Sequence, residues 1–78
     1  MKYLIIIEKA KSNYSAYVPD LPGCVSTGKT VEQVRRNMQE AIDFHLEGMR
    51  EDGAIIPKPS STSAYVSVRA KARSSRAA

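Results

Sequence analysis

The stretch GCVSTGKT, residues 23–30, has the spacing G-x-x-x-x-G-K-[ST] of a phosphate-binding loop that leads into a helix. Such a loop holds a phosphate on consecutive backbone N–H groups at a helix N-terminus. The four residues between the glycines, CVST, instead favour a strand. A nucleotide hydrolase also needs a second strand that ends in an acidic residue, whereas the next strand-like stretch ends at Arg69. We therefore interpret the spacing as incidental, and Lys29 as a solvated residue before a helix.

Other catalytic chemistry finds little support in the sequence. Cys24 could act as a nucleophile only with a base beside it, and the single histidine, His45, has no spacing that places it there. One cysteine and one histidine provide neither an internal disulfide nor a zinc cluster. A metal-dependent nuclease needs converging carboxylates, for which Glu8 and Asp20 are the candidates. We predict no catalytic residue, no metal and no cofactor, and hence a protein that is not an enzyme.

Length and composition indicate one small domain. The chain has 78 residues, of which 42% are hydrophobic and 26% are charged, enough for a single modest core. No apolar run approaches the roughly 18 residues of a membrane span. We expect a cytoplasmic protein that does not associate with a membrane.

Charge is distributed unevenly along the chain. The formal net charge is +4, and all of this excess lies at the C-terminus. There, four cations follow a neutral body: Arg69, Lys71, Arg73 and Arg76. We predict a folded domain over residues 1–69 and a basic, disordered tail over residues 70–78. A tail with so few cations and no element to enter a groove would make at most weak, non-specific contacts with nucleic acid.

Three strands are predicted in the first 28 residues. KYLIIIEKA is a strand with two apolar faces, and the turn residues KSN join it to the strand YSAYVP. Pro22 and Gly23 suit the two central positions of a type II turn, and CVSTG follows as the third strand. Short connections of this kind predict an antiparallel meander.

A long amphipathic helix follows the meander. Thr30 and Gln33 have the spacing of a capping box, and Gly53 suits the stop after a helix that ends near Asp52. Between them, apolar residues recur every three or four positions: Val31, Val34, Met38, Ala41, Ile42 and Met49. AYVSVRA then alternates as a fourth strand, with Ala64, Val66 and Val68 facing inward. The predicted fold is α+β, in the order β-β-β-α-β, with the helix across one face of the sheet.

Three segments together resemble the HicB family of antitoxins: MKYLIII, then YSAYVPDLPGCVSTGKTVEQV, then AIDFHLEGMREDGAIIPKP. The resemblance covers residues 1 to about 69. It implies a partial ribonuclease-H-like fold and a partner, a HicA-type toxin that cleaves messenger RNA and is neutralised by binding. Many members add a C-terminal DNA-binding module, for which KARSSRAA is too short. The set of acidic residues that ribonuclease H activity requires is also missing.

Within this resemblance we predict four residues that contact the partner: Tyr17, Asp20, Leu21 and His45. A small sheet also leaves an edge strand poorly covered, which predicts a homodimer. Two alternatives remain open, a nucleic-acid-binding protein that acts through its basic tail and a residual metal-dependent nuclease.

Overall fold

The computed structural model describes residues 1–69. Strand β1 spans Ile6–Lys9, β2 spans Tyr14–Tyr17 and β3 spans Val25–Gly28, and helix α1 spans Val31–Glu51. The strands form one antiparallel sheet in the order β1-β2-β3. The predicted α+β fold, with its meander and long helix, is confirmed. Three of the four predicted tail cations, Lys71, Arg73 and Arg76, lie outside the described residues, as does the predicted disorder of residues 70–78.

Two tight turns connect the strands, each at the predicted place. The Ala10 N–H donates to the Asn13 carbonyl oxygen at 2.8 Å and closes the first turn. In the second turn, the Cys24 N–H donates to the Leu21 carbonyl oxygen at 3.1 Å. Gly23 has a φ of 85°, the left-handed conformation that a type II turn requires of its third residue. The meander is thus set by local turn chemistry.

Both ends of the helix follow the predicted capping pattern. The Gln33 N–H donates to the Thr30 Oγ1 at 3.0 Å. The Gln33 Oε1 in turn accepts from the Lys29 N–H at 2.6 Å, one residue earlier than in a capping box. At the other end Asp52 is the cap, and Gly53 leaves the helix with a φ of 71°. These contacts satisfy backbone groups that a helix end would otherwise leave unpaired.

The core lies between the sheet and the helix. Seven side chains are buried there: Ala16, Val18, Leu21, Cys24, Val34, Met38 and Leu46. The helix also passes very close to the end of β3, where a Cβ atom on Gly28 would lie 2.6 Å from the backbone nitrogen of Val34. Gly28 therefore allows the sheet and the helix to approach each other.

The predicted fourth strand is not confirmed. Residues 62–69 contain no strand, and Tyr65, Val66 and Val68 are 104%, 82% and 82% exposed. The connector after the helix is instead held to the body at two places, since the Tyr3 hydroxyl donates to the Pro57 carbonyl oxygen and Asp20 binds residues 60 and 61. Beyond these contacts no strand of the same chain lies beside the segment. Among residues 1–69, no helix is both long and apolar enough to cross a membrane.

Candidate partner-binding surfaces

The stretch with phosphate-loop spacing is not a loop. Residues Val25–Gly28 form β3 and pair with β2 in a regular antiparallel register, for example Ser26 with Ala16. A backbone engaged in a ladder does not present its N–H groups to an anion. Cys24, which precedes the strand, is 4% exposed, and burial raises the pKa of its thiol. The side chain therefore behaves as a small apolar core residue rather than an activated nucleophile.

Asp20 is engaged by the connector. Its Oδ2 accepts from the N–H groups of Ser60 and Ser61 at 2.9 and 3.0 Å, and its Oδ1 accepts from their hydroxyls at 3.1 and 2.8 Å. These bonds, the Ser61 N–H foremost, lower the pKa of Asp20 to about 2, because each donor favours the ionised carboxylate. Over residues 1–69, no three His, Cys, Asp or Glu side chains are grouped so that they could hold a metal ion.

One face of the sheet is not covered by the helix. Ile6 pairs with Tyr17, and Tyr17 pairs with Val25, so that the three side chains form one row across the sheet. They point away from Ala16, which is buried in the core. Tyr17 is 42% exposed and Val25 64% exposed, while Ile6 is half-buried. We call this row the open sheet face. It is an apolar strip of the kind that partner proteins use.

The outward side of the helix carries a second exposed apolar group. Phe44 is 80% exposed, and the exposed residues Glu40 and Glu47 lie one helical turn before and after it. Gly48, also one turn away, leaves the aromatic ring uncovered on that side. We call Phe44, Glu40 and Glu47 the helix patch. The sequence analysis missed it, although Phe44 falls opposite the apolar stripe and a solvent-facing phenylalanine is unusual.

The four predicted partner residues lie in different settings. Tyr17 is on the open sheet face, and Asp20 is hydrogen-bonded to the connector. Leu21 is 1% exposed, within the core, and His45 is half-buried on the helix. Partner contact by these residues stays a prediction. Arg69 is exposed at the end of the described chain.

The architecture is a small α+β domain whose prominent surface features are exposed apolar side chains. Residues 3–73 match the family described as the HicB-like antitoxin of bacterial toxin–antitoxin systems. The chain belongs to this family, and its role lies in a toxin–antitoxin system.

Relatives and one solved structure agree with this assignment. An uncharacterised 14.9 kDa protein of Haemophilus phage HP1 is 46% identical over 66 residues, which are 85% of this chain and 50% of that protein. The chain thus spans half the length of the phage relative. A UPF0150 protein of Helicobacter pylori is 41% identical over 81% of this chain and 89% of its own length. A chain of the HicA3 and HicB3 toxin–antitoxin complex superposes with a TM-score of 0.67 and 32% identity, over 77% of this chain and 70% of that one.

Proposed function

We propose that this protein is the antitoxin of a type II toxin–antitoxin pair, and that it binds and neutralises a HicA-type, mRNA-cleaving toxin. The observation that carries the proposal is the structural match to a chain of the HicA3 and HicB3 complex. Family membership over residues 3–73 supports it. In this proposal the chain acts by covering a surface of the toxin rather than by catalysis.

We assign the toxin contact first to the helix patch. A protein that cleaves RNA has to attract a polyanion and therefore presents a basic surface. The second half of the helix and its cap are acidic, with five carboxylates at residues 40, 43, 47, 51 and 52 against one arginine, Arg50. Such complementary charge accelerates association and orients the partners. Phe44, exposed among these carboxylates, supplies the aromatic anchor typical of interface hot spots.

The open sheet face is the second candidate for the same contact. It contains Tyr17, the one predicted partner residue whose side chain is classed as exposed. Tyrosine combines a large apolar area with a hydroxyl and is common at interfaces. This face carries less charge than the helix patch, because Ile6, Tyr17 and Val25 are flanked by a row in which only Glu8 is ionisable. Recognition of a basic toxin by charge therefore favours the helix.

Co-expression with the small protein encoded beside this one tests neutralisation, through growth rescue and co-purification. We expect Phe44→Ala to weaken toxin binding by at least about 30-fold, the loss of a hot spot worth roughly 2 kcal/mol. Ile55→Ala is the matched control, since Ile55 is 91% exposed and lies outside both surfaces. If neither neighbouring gene product binds or arrests growth, the antitoxin proposal is wrong. If Tyr17→Ala weakens binding and Phe44→Ala does not, the contact belongs to the open sheet face.

A further inference from the structure

A groove runs beside the outer edge of β1. It lies between the extended residues 1–5 and the helix, and it has a volume of about 510 Å³. Its apolar lining is Tyr3, Ile5, Met38, Ile42 and Leu46, with Lys2, Arg35 and Asp43 among its polar residues. We call it the edge groove. Because β1 is the first strand of the sheet, the groove follows an edge whose backbone groups are free to pair.

The same chain carries an unpaired segment suited to such an edge. Residues 64–68, AYVSV, alternate apolar residues on one side with Tyr65 and Ser67 on the other. They carry no charge, and an extended run of five residues measures about 17 Å. In the single chain Val66 and Val68 are each 82% exposed. The segment therefore has the composition of a strand and lacks a neighbour.

The connector directs this segment away from its own edge groove. Tyr3, just before β1, holds Pro57, while Asp20, beyond the end of β2, holds Ser60 and Ser61. Because β1 and β2 are antiparallel, these two contacts lie at the same end of the sheet, and the chain passes from the β1 side to the β2 side. Residues 62–69 contain neither glycine nor proline, the residues that favour a sharp reversal. Return to its own β1 edge would need such a reversal.

We propose that two copies of this chain exchange residues 64–68. The segment of each copy pairs with the β1 edge of the other and places Val66 and Val68 in the edge groove of that copy. A two-fold axis makes the exchange reciprocal, so that both sheets gain a fourth strand and both exposed edges are covered. Tyr65 and Ser67 then lie on the opposite face, beside the open sheet face. The proposal does not depend on toxin binding.

Sedimentation equilibrium of the full chain tests the exchange. We expect twice the chain mass of 8.6 kDa for the wild type. The double variant Val66→Asp, Val68→Asp should raise the dimer dissociation constant by at least about 100-fold, because each carboxylate would have to enter an apolar groove. Ser67→Asp is the matched control, with a new charge in the same segment on the other face, and should remain dimeric. Because these side chains are exposed in the single chain, the variants should keep the wild-type circular dichroism.

Isotope-filtered NMR of a mixed sample distinguishes this exchange from another dimer. The expected result is intermolecular contacts from the Val66 and Val68 methyl groups to Ile42 and Leu46. A wild type that is monomeric at all concentrations would overturn the proposal. So would a dimer that the double aspartate variant leaves intact, or a monomer whose segment 64–68 becomes protected from hydrogen exchange only when toxin is bound.

Discussion

Replacement of Gly28 by alanine tests whether the glycines of GCVSTGKT serve packing. A Cβ atom at this position would lie 2.6 Å from the backbone nitrogen of Val34 and 2.9 Å from its Cα. Both atoms belong to the helix backbone, so the clash cannot be relieved by rotation of a side chain. Overpacking of this kind costs typically about 1–3 kcal/mol, which exceeds the roughly 0.4–1 kcal/mol that alanine gains by restricting the unfolded chain. Gly28→Ala should therefore destabilise the protein.

Gly48→Ala is the matched control for this experiment. Gly48 lies within the helix, and a Cβ atom there would have no neighbour within 4 Å. Alanine should stabilise the helix by about 0.5–1 kcal/mol, and in a domain of this size about 1 kcal/mol shifts the melting temperature by roughly 4–8 °C. Urea unfolding and thermal melts at fixed protein concentration should move in opposite directions for the two variants. A Gly28→Ala protein as stable as the wild type would refute the packing explanation.

Three further predictions concern the connector, the helix cap and the tail. The pKa of Asp20 is lowered from 3.8 to about 2, so its stabilising contribution is present above about pH 4 and is lost as the pH falls toward 2. Asp20→Asn should remove this part of the acid dependence in urea titrations and speed hydrogen exchange at Ser60 and Ser61. Thr30→Ala should cost about 1 kcal/mol in urea unfolding through the lost cap, and an unchanged midpoint would contradict this. If the tail cations bind duplex DNA, the slope of log K against log salt should be no steeper than about −3.6, and deletion of residues 70–78 should abolish that binding in fluorescence anisotropy.

Local sequence signals predicted the meander and the helix because each depends on neighbouring residues. The Pro22–Gly23 turn, the Thr30 cap and the Gly53 stop each act over four residues or fewer, and the apolar period of the helix adds to them. The strands were predicted longer than the structure shows. KYLIIIEKA is paired only over Ile6–Lys9, because β2 is too short to pair with the residues before Ile6.

The sequence could not show where the last segment goes or which surfaces stay uncovered. AYVSVRA has the alternation of a strand, but alternation does not identify the neighbouring strand, and in the single chain none is present among the described residues. Asp20 looked like a surface carboxylate available to a partner, whereas it binds the connector 40 residues away in sequence. Phe44 was missed because its exposure depends on which helix stripe packs against the sheet. These features depend on contacts that are distant in the chain or lie in another chain.

The phosphate-loop spacing itself follows from three separate structural requirements. Gly23 is needed for the positive φ of a turn, Gly28 for close contact between β3 and the helix, and Thr30 for the helix cap. A four-residue strand segment between the turn and the helix fixes the distance between the two glycines. Only Lys29 has no packing role in this pattern, since its side chain is exposed and its N–H alone takes part, in the bond to Gln33. A strand that leads through a tight contact into a capped helix therefore reproduces the motif without a phosphate site.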